Sequence, residues 1–307
     1  MARLSGRTRG RAAARLTTAA IAAALVGTSA GAAVADSPAP APAPVKSLHK
    51  ATERLGDLPQ AAPRTAGVAA APILPLFAAT RSGDLYMYRA NGHGGLKARE
   101  FVTRWQTIDA SVQAVTGNNV ALYTRTPDGT LNYSDGAVKR IGTGWGQYDL
   151  LRSVGNVGGA KQADLLARDR SGALWLYLAK SDGTLTGRKK VGTGWGQYTQ
   201  LAGQGDLTGD GKADLVAVDR SGVAWLYKGT GDYTKPFASR SRIGTGWGQF
   251  NHVLSTGDLT FDGRADLVAR DKAGALWVYA GTGRASAPFK AKKKIGASGW
   301  NQYAQLF

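Results

Sequence analysis

Two stretches of this chain have the residue types and spacing of a metal-binding loop. Asp206-Leu-Thr208-Gly-Asp210-Gly-Lys212-Ala-Asp214 and Asp258-Leu-Thr260-Phe-Asp262-Gly-Arg264-Ala-Asp266 place oxygen-bearing side chains at positions 1, 3, 5 and 9. Lys212 and Arg264, at position 7, can contribute a backbone carbonyl, and Gly211 and Gly263 at position 6 allow the sharp turn that an oxygen-lined Ca²⁺ loop needs. Position 12 carries no Glu, so neither loop is an EF-hand. A third copy, Asn156–Asp164, keeps only Asn156 and Asp164 and is expected to have lost the ion. The ion's role would be structural, because it takes up the oxygens and no catalytic base is left beside it. The competing reading is that these aspartates cap turns through hydrogen bonds from nearby backbone N–H groups.

A second stretch offers aromatic and amide groups. Ile141-Gly-Thr-Gly-Trp-Gly-Gln-Tyr148 returns as Val191–Tyr198, as Ile243–Phe250 and loosely as Ile295–Tyr303, so Trp145, Trp195, Trp247 and Trp300 follow at spacings of 50, 52 and 53 residues. A weaker copy at Phe101–Ile108 holds Trp105-Gln106 without the glycines. A flat indole suits the C–H face of a pyranose, and Gln amides or bared backbone N–H groups suit hydroxyl and acetamido groups. The candidate ligand contacts are Trp145, Gln147, Trp195, Gln197, Trp247, Gln249, Trp300 and Gln302. The same tryptophans could equally be wedges between repeated units, since burying such a ring is worth roughly 2–3 kcal/mol.

A period near 50 residues means a repeat architecture. Each unit reads as four short strands. The apolar run of type Leu215–Val218 and the alternating run Val223–Tyr227 flank a Ser-Gly hairpin turn; a basic segment precedes each Ile-Gly-Thr-Gly, and a further strand follows each Trp-Gly-Gln-Tyr. Four antiparallel strands per unit and five units predict an all-β, five-bladed β-propeller. The first unit lacks its strand of the Tyr198–Gly203 type, and the last residues, Gln302–Phe307, are an unused copy of it, so the C-terminal strand should join the first blade. Outer strands with Lys139-Arg140, Arg188–Lys190, Arg240 with Arg242 and Lys292–Lys294 predict a basic rim, read first as protection of sheet edges by charge.

The aspartate loops resemble the FG-GAP (VCBS-type) repeats, whose nine-residue loops bind calcium at the edge of a propeller blade. Gly299-Trp300-Asn-Gln-Tyr303, Gly144-Trp145-Gly-Gln-Tyr148 and the hairpin Thr126-Pro-Asp-Gly-Thr-Leu131 are similar to elements of the five-bladed tachylectin-type lectins. That second resemblance implies one sugar site per blade junction, selective for N-acetylated amino sugars. The first, taken alone, implies a calcium-stabilised protein-interaction or adhesion scaffold.

Composition sets the remaining bounds. The 307 residues include no cysteine, which excludes disulfides and thiolate chemistry, so stability must come from a packed core. Arg3, Arg7, Arg9, Arg11 and Arg15, the apolar run Leu16–Val26 and Ala33-Val34-Ala35 form a secretory signal over 1–35. Residues 36–71 are a Pro/Ala-rich linker and 72–307 the propeller. Secretion is therefore expected, with no membrane insertion after cleavage and a monomeric product. The formal charge of +18 remains at +13 without the signal arginines, which raises anionic cell-wall polymers as partners beside glycans and a protein partner. No catalysis is expected: His49, His93 and His252 are scattered, and the carboxylates belong to repeated loops instead of one unique pair. The expected function is lectin-like carbohydrate binding at several equivalent sites.

Overall fold

The computed structural model describes residues 71–104, 110–116 and 119–307. The signal over 1–35, the linker up to residue 70 and the Trp105-Gln106 copy lie outside the described residues. Within them the strands form five four-stranded antiparallel sheets, the blades of a β-propeller. Blade I contains β1 (Leu76–Thr80), β2 (Asp84–Tyr88) and β3 (Glu100–Arg104). Blade II runs β4 (Ala110–Thr116), β5 (Asn119–Arg125), β6 (Leu131–Ser134) and β7 (Val138–Gly142). Blade III has β8 (Tyr148–Ser153), β9 (Leu165–Asp169), β10 (Leu174–Tyr177) and β11 (Lys189–Gly192). Blade IV has β12 (Tyr198–Ala202), β13 (Leu215–Asp219), β14 (Ala224–Tyr227) and β15 (Ser241–Gly244). Blade V has β16 (Phe250–Leu254), β17 (Leu267–Asp271), β18 (Leu276–Tyr279) and β19 (Lys293–Gly296), and β20 (Tyr303–Leu306) follows.

Closure occurs as the repeat arithmetic requires. β20 pairs with β1, giving blade I the order β20-β1-β2-β3, and Phe307 stacks on Phe77 with ring centroids 5.3 Å apart. The opposite end of the domain is tied to blade V, where Leu74 donates to Thr256 O and Asp258 N donates to Pro72 O. Closing the ring leaves only the outer strands as free edges, and these carry exposed Lys139, Arg140, Lys190, Arg242, Lys293 and Lys294, the basic rim.

Each blade is apolar on both faces because its middle strands are continuous runs such as Leu215-Val-Ala-Val218, and each face packs on a neighbouring blade. The antiparallel order sends the first and third connections of each blade to one side of the disc. That side carries the aspartate loops. The Ser-Gly hairpins and the Trp-Gly-Gln turns lie on the other. Gly222 shows why the hairpin needs glycine: its φ is +74°, and a Cβ there would lie 2.6 Å from Gly248 N. That contact also accounts for the second glycine of the Trp-Gly-Gln turn, which lies against the hairpin of the same blade.

The innermost strands meet around the axis through side chains. At one level the repeat places Leu150, Gln200, His252 and Gln305. Gln200 donates to Asn251 O and accepts from Val253 N, both at 3.3 Å, and His252 Nε2 donates to Leu306 O at 2.9 Å. Burial, and then the nearby Arg152 guanidinium, push the imidazole down to about 3, so it is neutral in the fold. An unfolded His titrates near 6.5. Stability is therefore fully present above about pH 6.5 and falls as the unfolded chain takes up a proton that the fold refuses, by about 2 kcal/mol on reaching pH 5. His252→Gln, which installs the residue of blade IV, should remove that slope. Urea midpoints of both proteins at pH 7.5 and pH 5 test this, and equal slopes would refute it.

Candidate functional site

Four of the Trp-Gln turns lie in the described residues, each as a one-turn 3₁₀ helix between an outer strand and the next inner strand: Trp145–Gln147, Trp195–Gln197, Trp247–Gln249 and Trp300–Gln302. The glycine before each Trp is left-handed, with φ of 82°, 80°, 86° and 107°. This conformation turns the indole into the junction between blades. Trp145, Trp195 and Trp247 are only 6–7% exposed, and Trp300 is half-buried. Each packs on a tyrosine of the following blade: Trp145 on Tyr177 and Trp195 on Tyr227 at 4.8 Å, Trp247 on Tyr279 and Trp300 on Tyr88 at 4.6 Å. The first three indoles therefore hold blades together and offer little area to a ligand.

The glutamines are exposed, and three of them brace their own turns. Nε2 of Gln147, Gln197 and Gln249 donates to Gly144 O, Gly194 O and Gly246 O at 3.0, 2.9 and 2.7 Å. Their Oε1 atoms accept from Arg188 and Arg240, both at 3.4 Å, and from Lys292 at 2.7 Å.

By sequence these cations belong to the basic segments read as edge protection, and in the structure they complete a repeated constellation. Arg188, Arg240 and Lys292 lie over the rings of Trp175, Trp225 and Trp277 at 4.2, 4.1 and 4.5 Å, and Arg99 lies over Tyr86 at 4.5 Å. Arg188, Arg240 and Arg99 also donate to the hydroxyls of Tyr148, Tyr198 and Tyr303. Each hairpin Trp is fixed in turn, since its Nε1 donates at 2.8 Å to Asp169, Asp219 or Asp271. The Ser171 hydroxyl, and then the Trp175 N–H, hold Asp169 down to about 2, so this clamp is charged at any neutral pH. Three junctions thus present an amide, a half-buried ring and a cation in contact at one surface, and the fourth places Arg99 over the Tyr86 ring; a tyrosine hydroxyl joins the cation at three of the four. The signal of this group in the sequence was the basic residue three positions before Val191-Gly, Ile243-Gly and Ile295-Gly.

The aspartate loops lie on the other side of the disc. Ligand atoms of Asp206, Asp210 and Asp214 come within 4.8 Å of one another. Asp214 is buried, accepting from Leu207 N and Gly229 N at 2.9 Å. Burial first, and then the Asp210 and Asp206 charges, push its carboxyl up to about 6. Asp206 accepts from Thr208, Gly209 and Gly211 N, so turn capping is present. It does not account for the cluster. The Asn156–Asp164 loop closes in the same manner, with Asn156 accepting from Gly159 N and Asp164 from Val157 and Gly158 N, and needs no acid at the position of Asp210. Three converging carboxylates with lone pairs to spare therefore fit a hard dication, with Thr208 Oγ1 and Lys212 O as the remaining oxygens.

In the other loop, Asp266 clamps the turn as Asp214 does, accepting from Leu259, Thr260 and Gly281 N. Asp262, however, pairs with Arg264 at 3.5 Å and lies 4.0 Å from Lys290. Two side-chain cations already meet part of its charge. Phe261, at φ 59°, takes the place of Gly209 and packs against Gly92 of blade I.

Fold and loops define a five-bladed propeller of repeats with aspartate-rich connections. Residues 206–269 match the model of the FG-GAP-like repeat. No curated protein matches the sequence. Among solved structures, a triple-arginine variant of AofleA from Arthrobotrys oligospora is 11% identical, with 79% of this chain and 76% of that chain covered and a TM-score of 0.45. The BP39L lectin from Burkholderia pseudomallei is 16% identical over 75% of this chain and 69% of that one, with a TM-score of 0.45. Prp20p from Saccharomyces cerevisiae is 12% identical over 73% and 62%, with a TM-score of 0.38.

The two polar groups of the Trp-Gln turn separate by burial. Trp195→Ala should cost about 3–5 kcal/mol as a buried aromatic truncation, whereas Gln197→Ala should cost about 1 kcal/mol or less, the worth of one exposed hydrogen bond. Chemical denaturation of the two variants checks this order. Equal effects would mean that the indole is not a junction wedge.

Proposed function

We propose that this protein is a non-catalytic carbohydrate-binding propeller whose sites lie at the blade junctions, on the side of the hairpins and Trp-Gln turns. The observation that carries the reading is the recurrence of an amide bonded to a cation on a half-buried ring at three junctions, with Arg99 over Tyr86 at a fourth. Packing requires the buried indoles but not the exposed cations, whose free N–H groups point to a ligand rich in oxygen. N-acetylated amino sugars fit the amide and ring, and the resemblance to tachylectin-type elements favours them. Several weak sites on one rigid disc would bind a repeating glycan by raising effective concentration. Anionic cell-wall polymers are the second reading, favoured by the exposed lysines and arginines of the outer strands. Export by the 1–35 signal places either ligand outside the cell.

We further infer that Asp206, Thr208, Asp210, Lys212 and Asp214 hold Ca²⁺ as a structural ion. Asp258, Thr260, Asp262, Arg264 and Asp266 form the weaker site, because Arg264 and Lys290 compete for Asp262. The ion would offset the repulsion among the three carboxylates and pin blade IV's loop to blade V, whose Gly283 O would lie 2.5 Å from a Cβ on Gly209.

A glycan array that includes chitin and peptidoglycan fragments tests the first proposal. Arg188→Ala with Arg240→Ala should lower array binding at least tenfold with an unchanged melt, and a wild-type protein that binds no glycan would refute it. For the ion, Ca²⁺ at 100 times its Kd should stabilise the fold by about 2.7 kcal/mol. A melting midpoint that is identical with Ca²⁺ and with chelator would remove the metal assignment.

A further inference from the structure

The repeat places one residue per blade around the axis at the level where the inner strands end. In blades IV, V and I these are Ala202, Leu254 and Phe307, small or apolar groups. Blade III puts Arg152 there. This is a break in symmetry, and it falls on a cavity. Gln113, Arg152, Ser153, Gln204, Leu254 and Phe307 are among the residues lining a small axial recess, with about 30 Å³ open to water-sized groups.

The recess holds a cation that no side-chain carboxylate pairs with, and the terminal residue Phe307 is part of its lining. Arg152 Nε donates to Leu201 O at 3.1 Å and Nη1 to Leu151 O at 2.8 Å, while Nη2 has no protein partner among the described residues. No Asp or Glu side chain lines the recess. Burial, and then the charge of Arg168, push the guanidinium down to about 10, the sign of a charge that lacks compensation. Buried charges are ordinarily paired, because several kcal/mol of hydration are otherwise lost. Three further polar atoms in the recess are buried without partners: Ser153 Oγ, Gln113 Oε1 and Gln204 Oε1. Their amide nitrogens are already used, Gln113 Nε2 on Pro75 O at 2.8 Å and Gln204 Nε2 on Gln113 O at 3.4 Å.

We propose that this axial recess is a single binding site for a small hydroxy-carboxylate. The Arg152 Nη2 fork and the Ser153 hydroxyl donate to the carboxylate, and the two glutamine oxygens accept from the ligand's hydroxyl. A bare anion would leave those oxygens unmatched, and a neutral polyol would leave the guanidinium unmatched. The site is distinct from the junctions, which come several to a ring. It stands whether or not they bind sugar.

Calorimetric titration of the full chain with L-lactate, acetate and methyl lactate tests the assignment. The expected result is saturable binding of one lactate per chain, at least fivefold tighter than acetate, with no binding of the uncharged ester. Arg152→Ala copies blade IV and should weaken lactate at least tenfold, and Ser153→Ala should weaken it about threefold. Should Arg152→Ala fail to fold, the wild-type comparison of lactate with its ester and the Ser153→Ala variant still decide. Absence of saturable lactate binding to the wild-type protein would overturn the proposal and leave solvent, or the terminal oxygens of Phe307, as the compensating groups. Undiminished binding by a folded Arg152→Ala variant, or equal affinity for lactate and methyl lactate, would overturn it as well.

Discussion

The structure depends on one contact made at four junctions among the described residues, an indole from the Trp-Gln turn laid against a tyrosine of the next blade. A four-stranded sheet that is apolar on both faces has no stable state alone, so each blade is stable only between two others. The indole fills the widening gap between neighbouring blades, where aliphatic side chains of the middle strands no longer meet. The final junction is formed by chain ends, with β20 completing blade I, so the ring carries its own closure within the repeat.

That constraint divides the residues of the repeat into two kinds. Those that point into a junction or clamp a turn are fixed by the fold, including the four buried aspartates Asp164, Asp214, Asp258 and Asp266 and the hairpin aspartates that hold Trp175, Trp225 and Trp277. Those left over stand at the surface or differ from blade to blade, although the cations and Arg152 also bond within the fold. The exposed cations over the hairpin rings, Asp210 in its loop and Arg152 on the axis belong to this second kind, and they carry the three functional proposals. The comparison of repeats within one chain serves as an internal control: a loop that closes without an acid shows which acid is surplus.

Much of the fold was legible in the sequence because period, hairpin turns and the unused last strand all describe the same ring. The five-bladed count and the strand exchange at closure followed from residue spacing alone. The site was less legible. Trp145 and Gln147 were read together as ligand contacts because an indole face and an amide both suit a sugar, yet the left-handed Gly144 points the indole inward and leaves the amide outside, where it folds back on Gly144 O. Spacing cannot report that rotation. Arg188 stood in a basic stretch read as edge protection, and only strand register brings it over Trp175. Asp262 fitted the loop pattern as well as Asp210 did, and its pairing with Lys290, 28 residues away, is a matter of tertiary packing. Arg152 was invisible until the inner strands were aligned around the axis.

The central claim is that binding arises from several equivalent junctions acting together. The most direct measurement compares the affinity of the full chain for a free N-acetylated amino sugar with its affinity for the same sugar displayed densely on a surface. The account predicts weak binding of the free sugar at more than one site per chain and a gain of at least 10²-fold on the surface. Equal affinities in the two formats, or one sugar per chain, would contradict it.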